Sequence, residues 1–367
     1  MHPQFQQLMK QAAQLTQSGD LAAATAMIQS ALQNGGAPNA RNQYDDTNVI
    51  DVHAWEIPNP DSATSTTAAP HEQIITPTRK PIVTGDTFIA GSFRNSSGQR
   101  GYKLYVPPNA DERPLPLVVM LHGCTQDADD FAAGTGMNKI AESQGFYVLY
   151  PIQPAQLNPQ KCWNWFKHNH QHQGRGEPSI LAGMTRKVIG EHDIDTQRVY
   201  VAGLSAGGAM AAILASAYPD LYAAAGVHSG LAPGAASDLP SALAAMKSAG
   251  TKKPMHAGSG VPTIVFHGDR DKVVHPGNGQ SVIAASAGAS ARVETLRVPG
   301  LNNKRHSTKH MYRNAAGDII AERWDVHGAG HAWAGGTKSG SYTDQAGPDA
   351  TGEMLRFFFE RSLGNKR

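Results

Sequence analysis

Apolar and polar positions alternate along this chain in three distinct ways. Between residues 4 and 33, Phe5, Leu8, Met9, Ala12 and Leu15 stand at helical spacing. Ser18-Gly19-Asp20 interrupts the pattern, and Leu21, Ala24, Met27, Ile28, Ala31 and Leu32 resume it. This predicts a helical hairpin over 1–33. It looks like one unit of a helical repeat, but no second copy follows, so it reads as a small docking or capping appendage. From 34 to 79 no period is sustained. The chain there is rich in Asn, Asp, Pro, Ser and Thr, with DSATSTTAAP in the middle, and reads as a linker of low complexity.

From residue 80 the pattern changes again. Short β-rich runs follow one another: YKLYV at 102–106, LVVML at 117–121, FYVLYP at 146–151, RVYVAG at 198–203, AAAGVHS at 223–229, TIVFHG at 263–268, VETLRV at 293–298 and IIAERWDV at 319–326. Between them, 129–144, 178–192, 207–217, 278–288 and 348–362 carry apolar residues three and four apart. Strands that are apolar throughout and separated by helices are buried on both faces. The prediction is an α/β domain over 80–367, with a mostly parallel central sheet covered by helices on both faces. Sites in such sheets sit at the carboxyl ends of the strands.

Composition narrows the choice of function. The 367 residues are 40% hydrophobic and 17% charged, with 38 Gly and 23 Pro, which excludes a coiled coil or a long helical bundle. A formal charge of +2 supplies no broad field for nucleic acid or an anionic membrane. No apolar run approaches the length of a membrane span. The first 33 residues lack a basic segment followed by an apolar one, so the expected location is cytoplasmic, with secretion the alternative if a leader has been removed. The 2 cysteines can form one bridge at most.

The chemistry starts at Gly203-Leu204-Ser205-Ala206-Gly207, a G-x-S-x-G between the run RVYVAG and an Ala-rich helical stretch. In so tight a strand-to-helix turn the apical serine projects into the open and the glycines avoid collision. Ser205 is therefore the candidate nucleophile, and the Ala206 amide, at a helix start, can donate to an oxyanion. A serine hydroxyl needs a base, and on such sheets the acid and then the histidine follow the serine in the chain. TIVFHG runs into a loop with two carboxylates, Asp269 and Asp271. Asp271 is preferred because Asp269, directly after Gly268, suits the turn itself. Of the later histidines, His275 lies too close in sequence to occupy a separate loop, and His306 and His310 fall in NNKRHSTKH, which reads as a solvated edge. His331, in the Gly-rich loop GAGHAWAGG, is the candidate base, with His327 the runner-up. The second oxyanion donor is expected from the loop after LVVML, at Gly123-Cys124. Cys124 enters as an amide and not as a thiol nucleophile.

Five blocks, LHGCTQDADDFAAGTGMNKIAESQGFYVLYP, CWNWF, GLSAGGAM, HGDRDKVV and GAGHAW, together resemble the poly(3-hydroxybutyrate) depolymerase esterase family, relatives of feruloyl and acetylxylan esterases. The resemblance spans roughly residues 85 to 362. It implies an α/β-hydrolase fold for the catalytic domain, Ser205 as nucleophile, Asp271 as acid, His331 as base, and the Cys124 and Ala206 amides as oxyanion hole. The implied activity is hydrolysis of short-chain hydroxyalkanoate esters, oligomers or polymer through an acyl-enzyme. The family's extracellular polymer degraders carry a C-terminal linker and a surface-binding domain, whereas this chain stops at Arg367. Weak attack on crystalline polymer is accordingly expected.

That mechanism requires no metal or organic cofactor. His168-Asn169-His170-Gln171-His172 could pass for a metal cluster but, without nearby cysteine or carboxylate, reads as a solvated loop. Trp163, Trp165 and Phe166 in CWNWF, with Trp333 two residues beyond His331, are expected to line the rim around Ser205 and to bind a neutral, short-chain ester. Cys124 and Cys162 leave neighbouring strand ends on the same face, which predicts a disulfide fixing the oxyanion loop to the tryptophan loop; two reduced thiols are the alternative. A feruloyl or acetylxylan esterase with the same triad is the competing function. A non-catalytic binding protein on a hydrolase scaffold is the competitor from another class.

Overall fold

In a computed structural model of the protein, which describes residues 87–110, 112–248, 260–288, 291–300 and 302–365, most of the apolar runs become the centre of one sheet, whereas VETLRV, expected to be covered on both faces, is an exposed strand at its edge. The described residues fall within one compact unit, Thr78–Arg367. The hairpin expected over 1–33 and the linker over 34–79 lie outside the described residues.

The strands of the main sheet are β1 (Phe88–Asn95), β2 (Gly98–Tyr105), β3 (Leu115–Leu121), β4 (Tyr147–Pro151), β5 (Ile194–Leu204), β6 (Ala224–His228), β7 (Thr263–Gly268), β8 (Arg292–Val298), β9 (Ser307–Arg313) and β10 (Ile319–Val326). They form a ten-stranded sheet in the order β1-β2-β4-β3-β5-β6-β7-β10-β9-β8. The six strands from β4 to β10 are parallel, and antiparallel strands close both edges. Every residue of β3, β4, β6 and β7 is buried, as helical cover on both faces requires. Side chains alternate between two cores. Leu117, Val119 and Leu121 enter one with Met184, Val201 and Met210, while Val118 and Met120 enter the other with Phe131, Met137 and Phe358.

Seven helices connect the strands among the described residues: α1 (Ala128–Thr135), α2 (Met137–Gln144), α3 (Gly176–Glu191), α4 (Ala206–Ala217), α5 (Leu239–Lys247), α6 (Gly277–Ala287) and α7 (Ala350–Phe359). The single helix expected over 129–144 is two, because Gly136 adopts a left-handed φ of 65° and caps α1 before α2 begins. Two strands and a helix do not follow from the apolar pattern. In β1, half-buried and exposed positions alternate, and the NNKRHSTKH stretch, expected as a solvated edge, contains the start of β9. There His310 Nε2 lies 3.0 Å from Asp325, so its polar character reflects cross-strand pairing and not simple solvation. Helix α5 exposes Leu239 and Leu243 and so lacks a clean apolar face. Among the described residues, no helix is long and apolar enough to cross a membrane.

Candidate active site

Ser205 sits between the end of β5 and the start of α4 with φ 57° and ψ −118°. A non-glycine residue adopts these angles only where its surroundings enforce them. Here the glycines let those surroundings close in. A Cβ on Gly203 would strike the Gly207 backbone, and one on Gly207 would land on the Leu121 carbonyl at the end of β3. The head of α4 is thereby driven against the end of β3, and the Ser205 N–H donates to His228 O at 2.9 Å. Ala206 opens the helix, where an amide has no intrahelical acceptor.

The candidate acid Asp271 lies on the loop after β7 and the candidate base His331 on the loop after β10, two strands that pair in parallel. Asp271 Oδ2 is 2.7 Å from His331 Nδ1. Its other oxygen accepts from Val273 and Val274 N–H, each at 2.9 Å. Burial would raise the Asp271 carboxyl, but the His331 hydrogen bond and the Val274 amide outweigh it and hold the group below its ordinary range. Asp271 therefore stays ionised and fixes Nδ1–H on His331, which leaves Nε2 as the basic atom. The two loops meet closely, since a Cβ on Gly268 would strike the Ala329 carbonyl, and Arg270 N–H donates to Ala329 O at 3.0 Å. Among the described residues no hydrogen bond joins Ser205 Oγ to His331; in sites of this kind that contact commonly tightens with substrate.

Asp269 and His327, the alternatives weighed from sequence, pair with each other. His327 Nδ1 lies 2.9 Å from Asp269 Oδ2, and the Gly328 N–H donates to Asp269 Oδ1 at 2.7 Å. With Nδ1–H given to the carboxylate, His327 Nε2 accepts from Thr308 Oγ1 at 2.8 Å. This second pair buttresses the loop carrying His331 from outside.

The loop after β3 brings Gly123-Cys124 beside the nucleophile, where a Cβ on Gly123 would stand 3.5 Å from Leu204 O. Cys124 and Cys162 are joined by a disulfide. Among the described residues neither the Cys124 nor the Ala206 amide donates to a turn or loop carbonyl. Both remain available to an anionic oxygen.

The tryptophans do not form the expected rim. Trp163 and Trp333 are 0% exposed and Trp165 is 5% exposed. Trp163 Nε1–H donates to His122 O at 3.1 Å, and Trp333 Nε1–H donates to Thr351 Oγ1 at 3.0 Å while its ring stacks on His228. Large rings with a satisfied N–H gain more from core burial than from a wet rim. A loop has no periodicity from which their direction could be read.

Several supporting residues escaped the sequence reading. His228, at the end of β6, accepts the Ser205 amide on its carbonyl and the Ala334 amide on Nε2 at 3.0 Å, and so ties the Ser205 turn to the segment that carries His331. Complete burial pushes its imidazole down to about 3, so it is neutral. Glu177 on α3 accepts from the Asn164 N–H and Nδ2–H, each at 2.7 Å, from Gln153 Nε2 at 2.6 Å and from Arg100 at 3.0 Å. Burial would raise its carboxyl; the His170 ring and the Asn164 donors bring it down to about 2. Gln153 also donates to Cys162 O at 3.0 Å, so this buried network positions the disulfide loop. His170, expected in a solvated loop, is buried against Glu177 in a short 3₁₀ turn, because the carboxylate offers it a partner. The only sequence signal for Glu177 was a charge on the apolar side of a helix.

Several known proteins are similar to this chain. A family model described as Esterase PHB depolymerase matches residues 100–308, a span that holds Cys124, Cys162, Ser205 and Asp271 and ends before His331. Poly(3-hydroxyalkanoate) depolymerase C of Paucimonas lemoignei is 33% identical over 239 residues, 62% of this chain and 56% of that protein. A probable acetylxylan esterase A of Aspergillus clavatus is 31% identical over 215 residues, 54% of this chain and 68% of the relative. The chain thus spans little more than half the length of the first relative. The solved acetyl xylan esterase from Aspergillus awamori superposes with a TM-score of 0.52 at 23% identity, covering 63% of this chain and 89% of that one, a likeness of the α/β-hydrolase fold.

Proposed function

The chain belongs to the PHB depolymerase family of esterases, and from that premise we propose that it is a carboxylic ester hydrolase acting on short-chain hydroxyalkanoate esters through a Ser205–His331–Asp271 triad. The observation that carries this reading is the 2.7 Å pair of His331 Nδ1 and Asp271 Oδ2 on the sheet edge where Ser205 stands in its strained turn. His331 Nε2 takes the Ser205 proton as Oγ attacks the ester carbonyl. Asp271 keeps the ring oriented and stabilises its cation. The Cys124 and Ala206 amides receive the negative oxygen, and collapse of the tetrahedral intermediate expels the alcohol, which takes the proton from Nε2. A water molecule, deprotonated by His331, then attacks the acyl-enzyme and releases the acid.

The hydroxyalkanoate choice is supported by the likeness to the Paucimonas lemoignei depolymerase. The likeness to the Aspergillus clavatus protein supports a second reading, an acetylxylan-type carbohydrate esterase with the same mechanism. Parallel turnover of hydroxybutyrate dimer and trimer, acetylated xylan and methyl ferulate discriminates between them. A higher kcat/KM on either carbohydrate ester would overturn the hydroxyalkanoate choice, and inactivity on every ester would overturn the esterase reading.

A further inference from the structure

The segment from 333 to 344 returns over the loop that follows β3, and polar contacts staple the two together. Gln126 accepts from the Gly123 N–H at 2.9 Å and donates through Nε2 to Asp130 at 2.8 Å and to Ser341 O at 3.2 Å. Asp130 accepts in turn from Ser341 N–H at 2.8 Å and Oγ–H at 2.6 Å. One residue on, Tyr342 OH lies 3.1 Å from Thr125 Oγ1, and Thr125 Oγ1 donates to Cys124 O at 2.6 Å. Because the Thr125 proton is committed to Cys124 O, the tyrosine hydroxyl is the donor in the other bond. Tyr342 O accepts from the Trp333 N–H at 2.7 Å. Tyr342 is therefore bound by its main chain to the base-bearing segment and by its hydroxyl to the oxyanion loop.

Backbone strain marks the same pair. Thr125 has φ 67° and Tyr342 φ 50°, left-handed values that a β-branched or bulky residue adopts only where its surroundings hold it. Ser205 (φ 57°) and Lys161 (φ 51°), the latter beside Cys162, also have positive φ. Of the seven described non-glycine residues with positive φ, these four and Ser229 flank the Ser205 turn or the disulfide, whereas Asn302 and Asn303 stand between β8 and β9. Tyr342 differs from the other aromatics in exposure: it is 47% exposed, whereas every other described Phe, Tyr and Trp is buried or half-buried. A ring whose hydroxyl is tethered and whose surface is open has lost little freedom still to be lost on binding, and it presents flat apolar area.

We propose that Tyr342 is a specificity-determining, substrate-contacting residue: its ring packs on the uncharged apolar portion of the bound ester beside the Cys124 amide, and its hydroxyl, through Thr125, holds ring and amide in register. This inference rests on the esterase reading above. It assigns to Tyr342 the apolar contact expected from sequence of Trp163, Trp165 and Trp333.

The test compares p-nitrophenyl acetate with p-nitrophenyl butyrate in the full chain. Tyr342→Ala is expected to raise KM for the butyrate about tenfold and for the acetate about twofold or less, since the lost contact is with the longer chain. Tyr342→Phe keeps the ring and is expected to lower kcat about tenfold on both esters with KM unchanged, since only the tether to the oxyanion loop is lost. A merely structural role would reduce the fraction of active protein equally for both esters, so an unchanged butyrate-to-acetate ratio of kcat/KM in Tyr342→Ala overturns the proposal. If that variant does not fold, Tyr342→Phe carries the test, and wild-type kcat on both esters overturns it. Ser205→Ala serves as the separate control: full turnover there refutes the nucleophile assignment and not the contact made by Tyr342.

Discussion

Asp269 Oδ2 lies 2.9 Å from His327 Nδ1, so the acid two residues before Asp271 is committed to a histidine of its own. Two Asp–His pairs therefore stand side by side on the loops after β7 and β10, one inside the site and one outside it. Burial would raise the Asp269 carboxyl, but His327 and the Gly328 amide hold it below its ordinary range, as His331 does for Asp271. Two carboxylates of the same charge state thus differ in the histidine each reaches.

The two pairs are distinguishable by substitution. Asp271→Asn is expected to lower kcat by about 10³–10⁴, because the amide cannot hold Nδ1–H on His331 in the right tautomer. Asp269→Asn is expected to lower kcat by less than about tenfold, with a small loss of Tm from the weakened Gly328 bond. Steady-state kinetics and thermal melts on both variants check this, and the reverse order would move the acid to Asp269.

Breaking the Cys124–Cys162 bridge is expected to act on stability and activity together. The bond closes a loop of 38 residues, which in the chain-entropy picture stabilises by about 3–4 kcal/mol. Melts with and without a reductant should show a lower Tm after reduction, with a fall in kcat as the Cys124 amide loses its anchor. Thiol titration of the denatured, unreduced protein should find no free cysteine.

Buried neutral histidines set an acid limit. Burial lowers His122 to about 4, His228 to about 3, and His267 below its ordinary value. Each binds a proton in the unfolded chain below about pH 6.5 but not in the folded one. Their contribution is therefore complete above pH 6.5 and is lost as the pH falls toward their folded values, by up to about 1.4 kcal/mol per pH unit for each group. Tm should decline between pH 6.5 and 4, and His228→Gln should show a shallower decline than the wild type. An equal slope in both would remove His228 from the account.

Trp163→Ala should behave as a core substitution. Loss of a fully buried indole costs about 3–5 kcal/mol, and the vacated space sits under the disulfide loop. Denaturant unfolding should register that loss. A stable variant with only an altered ester preference would return Trp163 to the substrate.

Deleting residues 1–79 is expected to leave kcat on p-nitrophenyl butyrate unchanged, since every candidate catalytic residue lies beyond that span. An insoluble or inactive truncation would make the segment part of the catalytic core.

Local order in the chain was enough for much of this protein. LVVML is apolar at every position and TIVFHG at all but Thr263 and His267, as strands covered on both faces require, and they became the fully buried β3 and β7. G-x-S-x-G between strand and helix specified the turn at Ser205, because only glycine permits the approach of Leu121 to Gly207. The positions of Asp271, His331, Cys124 and Cys162 at strand ends were legible for the same reason: each follows a strand whose direction the apolar pattern sets. Strands β1 and β9 were not legible, since edge strands carry polar residues whose partners lie across the sheet. The tertiary structure alone gave Asp269 and Asp271 different histidine partners, buried the tryptophans, and set Tyr342 against Thr125. These outcomes depend on contacts 60 residues apart for Asp271 and His331 and 217 apart for Thr125 and Tyr342. Periodicity and turn chemistry act over a few residues and specify which end of the sheet a side chain reaches. Which neighbour it meets there is set by packing among segments that no local pattern connects.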